Sequence, residues 1–161
     1  MVTEETVEAS WQQIGGLSPE RAHRHMTQLG KRQPELLAFV TAMAGNLSEA
    51  GQETVIYAFV VICHMFETSS PKPLPRAKRR QIVTAYENIS EQLGRLITAD
   101  DHFLERHAAV TTGREPYVMR YVSEVLLEPD DPEAKLTDDE IGEAFMCLQA
   151  VVDVLHEISL S

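Results

Sequence analysis

Two Arg-His dipeptides, Arg24-His25 and Arg106-His107, stand 82 positions apart in a chain of 161 residues. Neutral imidazoles bind transition metals, so a fold that brought His25 and His107 together could hold a metal or a small ligand. A structural role is the stronger reading. His25 lies three residues from Ala22 and four from Leu29, and His107 four from Phe103, so each sits at the edge of an apolar helical face. Arg32 and Arg114 repeat at the same offset, each two residues before a proline, Pro34 and Pro116. A cation there is placed to bond the last carbonyls of the preceding helix, where positive charge is favoured.

Other combinations are weaker. A di-iron bundle needs Glu-x-x-His pairs facing inward from several helices. Glu20-x-x-His23 is the one match, and Asp153-x-x-His156 is a variant of it. The cluster Asp100, Asp101, His102 and Glu105 suits the first turn of a helix, whose dipole favours acids. Cys63 and Cys147 lie in apolar helical segments without a partner spacing, as small hydrophobes do. No glycine-rich phosphate loop, nucleophile elbow or HExxH sequence occurs, so no cofactor and no reaction follow from the motifs.

Charge is more informative. The net charge is −11, yet residues 18–32 carry four basic side chains against one acid, and residues 71–80 carry five and none. The remainder sums to −19. The second cluster, Lys72, Arg76, Lys78, Arg79 and Arg80, surrounds the start of a helix, where cations oppose the dipole unless an anion is near. It reads either as a solvated linker or as a docking site for phosphate, nucleic acid or an acidic partner. An acidic tract from Glu128 to Glu143 could pair with it within the molecule or across a dimer. No aromatic residue interleaves with the basic cluster, which weakens stacking on single-stranded nucleic acid.

The elements that would position these groups are helices throughout, because apolar spacings of three and four recur from end to end. Val7, Trp11 and Ile14 form one stripe before Gly15-Gly16. Ser18-Pro19 opens a helix expected to run to Gly30, Pro34 opens another ending at Gly45, and residues 49–67 are apolar almost all round, as at the centre of a bundle. Three prolines in residues 69–76 exclude a helix there. Ile82, Tyr86, Ile89, Leu93 and Leu96 form the next seam. Asp100 caps a short helix ending at Gly113, and Pro116 opens another. Thr137 with Glu140 makes a capping box for the last helix, whose stripe is Ile141, Phe145, Leu148, Val152 and Leu155.

At an offset of 82 residues, Val7, Trp11 and Ile14 fall on Ile89, Leu93 and Leu96, Arg24 to Val40 falls without a gap on Arg106 to Val122, and the caps Ser18 and Asp100 coincide. At an offset of 86, Ala58-Phe59 falls on Ala144-Phe145. Polar matches of this kind do not arise from sliding two apolar stripes together. The expected architecture is all-α, about eight helices, a tandem duplication of a four-helix unit. Residues 1–70 form the first half, 71–80 a basic proline-rich connector and 81–161 the second half, folding as one bundle-like domain.

The N-terminal residues carry three glutamates and no cationic start before an apolar run, so they do not read as a secretory signal. The longest near-apolar run, residues 55–66, is shorter than the roughly 18 residues a membrane helix needs. The expectation is a cytoplasmic, non-enzymatic helical interaction module with a protein partner or self-association and no membrane. A small-ligand or metal-binding bundle, or a regulatory protein touching nucleic acid or phosphate through the connector, are the alternatives.

Overall fold

The computed structural model describes residues 1–97, 114–128 and 135–161, and among them it contains seven helices and no strand. They are α1 (Glu4–Gly15), α2 (Pro19–Arg32), α3 (Pro34–Ala44), α4 (Glu49–Ser69), α5 (Arg79–Ile97), α6 (Pro116–Leu127) and α7 (Asp138–Ser159). The helix expected from Asp100 to Gly113, with Arg106 and His107, lies outside the described residues. No helix is long and apolar enough to cross a membrane among the described residues.

Short-range chemistry sets the helix boundaries. The hydroxyls of Thr3, Ser18, Ser48 and Thr137 accept from the N–H groups of Thr6, Arg21, Gly51 and Glu140. These donors have no partner within their own helix, so each cap removes an unsatisfied group. Thr137 and Glu140 complete the capping box. Gly30 does not end α2, which continues to Arg32. A Cβ at Gly30 would lie 2.8 Å from Leu37 Cδ2, so the residue serves the close approach of α2 to α3. Pro34 stops α2, because the residue before a proline is pushed out of the helical region: Gln33 has φ −132° and ψ 66°. At the connector, Arg79 and Arg80 already belong to α5, so the irregular strap ends at Lys78.

The core is organised around α4 and α7. α4 packs against α1, α2, α3, α6 and α7, while α7 packs against α3, α4, α5 and α6. Val55, Phe59, Ile62 and Phe66 of α4 are buried, as are Ile141, Phe145, Leu148, Val152 and Leu155 of α7, which is the stripe expected for it. Each such side chain contributes roughly 1.5–3 kcal/mol by leaving water. Two further helix pairs, α1 with α6 and α3 with α5, form the flanks.

α1 departs from its expected stripe. Val7 and Ile14 are buried, but Trp11 is 44% exposed. Four residues carry a helix about 40° past a full turn, which places Trp11 at the margin of the buried face, beside α6.

Candidate interaction site at the connector

Residues 70–78 are an extended strap whose backbone is held in place. The Gln33 amide donates from Nε2 to the Pro75 carbonyl at 2.9 Å and accepts the Ala77 N–H at Oε1 at 2.9 Å. Gln33 is only 3% exposed, so these bonds lie where an unpaired amide would be costly. Arg76 donates to the Lys31 carbonyl at 3.2 Å. Ala77 and Leu74 pack on the core. The three prolines leave few N–H groups to satisfy and restrict the backbone to extended conformations, which suits a strap fastened by side chains rather than by a sheet.

This fastening joins two basic segments that are far apart in sequence. Lys31 and Arg32 end α2, Lys72 and Arg76 belong to the strap, and all four line one groove of about 550 Å³ with Pro71 and Leu74 in its wall. Glu67 is the acid of the groove, and its carboxylate takes both Nε of Arg32 at 2.6 Å and the terminal nitrogen at 3.0 Å. Arg32 therefore meets a side chain of α4 instead of the expected helix-end carbonyls, and Arg76 takes the carbonyl of Lys31. The ammonium groups of Lys31 and Lys72 are exposed and have no acid partner among the described residues. Lys78, Arg79 and Arg80 are exposed at the start of α5, outside the groove wall. The Gln81 carboxamide oxygen accepts the Lys78 N–H at 2.8 Å there.

The acidic tract is not gathered onto the strap in the part of it that is described. Glu140 faces the start of α4, where Oε2 accepts the Ser48 N–H at 2.8 Å while Oε1 accepts the Thr137 N–H at 3.2 Å. The Ser48 side chain first, and then the Ser48 and Thr137 N–H groups, favour its charged form and push its pKa down to about 2.

Of the Arg-His pairs, Arg24 is exposed on α2 and His25 is half-buried. The ring next to His25 belongs to His64 of α4, with centroids 5.7 Å apart and planes at 61°. Gln13 Oε1 lies 3.3 Å from His64 Nε2. Burial first, and then the neighbouring His25, lowers the pKa of His64. His64 has no repeated counterpart, since Ala150 stands at the equivalent offset, and so the repeat gave no signal for it. Among the described residues, no three His, Cys, Asp or Glu side chains converge as a metal site would need. Both cysteines are free and buried; burial raises the Cys63 thiol pKa, and that of Cys147 to about 12, away from the thiolate a nucleophile requires.

The chain matches no protein-family model, no curated protein and no solved structure. Its chemistry therefore has to be read from its own geometry. The groove combines fixed backbone, unpaired ammonium groups and an apolar wall, an arrangement that binds anions by charge and contact.

Proposed function

We propose that this protein is an intracellular, non-enzymatic interaction module that docks an acidic segment of a partner protein along the connector groove. One observation carries the reading: Lys31, Arg32, Lys72 and Arg76 converge from two separate basic segments onto one anchored concave surface, while the chain as a whole is at −11. Such local inversion of charge attracts an acidic ligand and orients it. Leu74 and Pro71 add apolar contact, which favours a peptide over a free phosphate. The groove residues include no aromatic side chain for stacking bases. Two free cysteines suit a reducing compartment.

The same reading takes the chain as two related halves. What supports it is a pattern of neighbours unchanged when the halves are exchanged: α1–α4 answers α5–α7, α3–α4 answers α6–α7, α3–α7 answers α4–α6, and α1–α6 answers α3–α5. Opposite charges also stand at matched positions. Arg32 pairs with Glu67, and Arg114 acts electrostatically on Asp153, which follows Glu67 at the offset of 86.

The test is binding of a fluorescent oligoglutamate peptide, followed by anisotropy over a range of salt. Binding should weaken as salt rises, and K31E with K72E should weaken it about tenfold or more. Unchanged binding in that double variant, or a stronger response to a single-stranded oligonucleotide than to the peptide, would refute an acidic protein segment as the occupant.

A further inference from the structure

On the flank opposite in charge to the connector, α1 and α6 face each other across a pocket of about 220 Å³. α1 contributes Glu4, Val7, Glu8 and Trp11, and α6 contributes Tyr117, Arg120, Tyr121 and Glu124. Both sets have the spacing of one helical face, so the two helices present matched stripes to the same space. Val7 and Tyr121 form its buried side, whereas Trp11, Glu8 and Glu124 are exposed at its rim.

Three aromatic rings and three carboxylates around one cavity make a site for a cation. Ring faces attract positive charge, most strongly for tryptophan, and carboxylates add attraction at longer range. The pocket already holds one such contact: the Arg120 guanidinium lies 5.3 Å from the Tyr117 ring centroid and bonds Glu4 at 3.2 Å. Arg120 leaves Glu8 and Glu124 without an ion pair among the described residues. The Tyr121 side chain, on the pocket wall, is 7% exposed, and its hydroxyl is buried without a hydrogen-bond partner among the described residues. An unsatisfied hydroxyl of this kind is unusual in a simple packing interface.

The corresponding flank is α3 with α5. There Phe39 and Tyr86 meet edge to face, with centroids 5.8 Å apart. At the offset of 82, Phe39 corresponds to Tyr121 and Tyr86 to Glu4. This comparison rests on reading the chain as two related halves; the pocket itself does not. Where one flank pairs two aromatic rings, the other has a hydroxyl and a carboxylate at the matching positions.

We propose that the α1–α6 pocket binds an organic cation, specifically a methylated ammonium group. Methyl groups weaken the hydration of an ammonium, so it meets ring faces at a small dehydration cost, and quaternary ammonium ions are bound by aromatic cages for that reason. The carboxylates of Glu8 and Glu124 supply charge, Trp11 supplies a face, and the ligand takes the place of the Arg120 guanidinium over Tyr117.

Trp11 is the single tryptophan of the chain, so its fluorescence reports on the pocket directly. Choline and the amide of Nα-acetyl-trimethyllysine are titrated into the full chain, with 3,3-dimethylbutanol as the uncharged analogue of choline. A saturable change in emission with at least one cation, and none with the alcohol, is the expected result. Response to choline alone assigns a free small cation, and response to the lysine derivative alone assigns a modified side chain. E8Q with E124Q, at exposed positions that leave the core untouched, should weaken binding about tenfold, and Y117L should do the same. The proposal is overturned if neither cation gives saturation, if the alcohol matches choline, or if the E8Q and E124Q double variant binds as the parent does while its circular dichroism is unchanged.

Discussion

Gln33 and Glu115 do the same structural work at two places in the chain. Each precedes a proline that opens a helix, with φ −132° and ψ 66° at Gln33 and φ −136° and ψ 69° at Glu115. Each is buried, and each side chain accepts a backbone N–H two residues before the start of another helix. Gln33 takes Ala77 ahead of α5, and Glu115 takes Val2 ahead of α1 at 3.0 Å. The two residues are 82 positions apart, and each Arg-x-Pro corner fastens the entry to a helix remote in sequence, α5 for Gln33 and α1 for Glu115.

Replacing Glu115 by alanine should therefore destabilise the fold by about 1–3 kcal/mol, because the buried Val2 N–H loses its acceptor. Gln33→Ala should cost a similar amount. Glu115→Gln, which copies the residue at the other corner and keeps an acceptor oxygen, should cost less than Glu115→Ala. Urea denaturation of the three variants checks this. Equal losses for the glutamine and alanine replacements of Glu115 would show that charge toward His156, 3.2 Å away, matters more than the backbone bond.

Glu140 links the starts of α4 and α7 with one carboxylate. Its folded pKa is depressed to about 2 from an ordinary value of 4.5, so its contribution is present above pH 4.5 and fades as pH falls towards 2. Glu140→Gln should lower stability by about 1 kcal/mol at neutral pH, in the range of a lost helix cap at an exposed site. The gap between parent and variant should close on acidification. Melting temperatures measured across that pH range decide it; a gap independent of pH would assign the effect to packing. Gly51→Ala should also destabilise, since its Cβ would lie 2.9 Å from Glu140 Oε2 and 3.0 Å from Leu47 Cβ.

Removing the acid in the basic groove should improve binding. Glu67→Gln releases Arg32 from its two-point ion pair and raises the positive potential along the strap. Affinity for oligoglutamate should rise about threefold at low salt, and the gain should shrink as salt is added. Isothermal titration of both proteins at two salt concentrations is the measurement. Weaker binding by Glu67→Gln would mean that the ion pair is needed to hold Arg32 in its binding position.

His64 should titrate below the usual value of 6.5, as burial and His25 both oppose its protonation. An unfolded chain then binds a proton more readily than the folded one, so this group lowers stability as pH falls from 6.5 through the folded pKa. His25→Gln removes the second of three lowering causes, burial being the first and Arg32 the last, and should raise the pKa of His64 without restoring it fully. Proton NMR of the imidazole signals follows both effects directly. A His64 that titrates identically in the variant would show that His25 has no part in setting its value.

The helices were legible in the sequence because their causes are short-range. Ser18-Pro19, Thr137 with Glu140 and the stripe from Ile141 to Leu155 act within a few residues of themselves, and all are found as expected. Errors arose where a boundary or a face depends on a neighbour. Gly30 has the composition of a helix stop but sits inside α2, which Pro34 ends, and its missing side chain leaves room for Leu37. Trp11 has the spacing of a core residue but lies on the margin that α6 leaves open. Buried Gln33 and Glu115 gave no warning, since polar residues in front of proline look like ordinary solvent-exposed corners.

Sequence alone determined that the chain is helical, where most helices begin, and that its charge is segregated into basic segments within an acidic whole. Those properties depend on backbone hydrogen bonding, periodicity and composition, each readable over a few turns. Only the tertiary structure decided that Lys31 and Arg76 share a groove, that His25 meets His64, and that Trp11 joins Tyr117 at a pocket. Their partners are separated by tens of residues, and the crossing of packed helices, which no local pattern encodes, sets which of them touch.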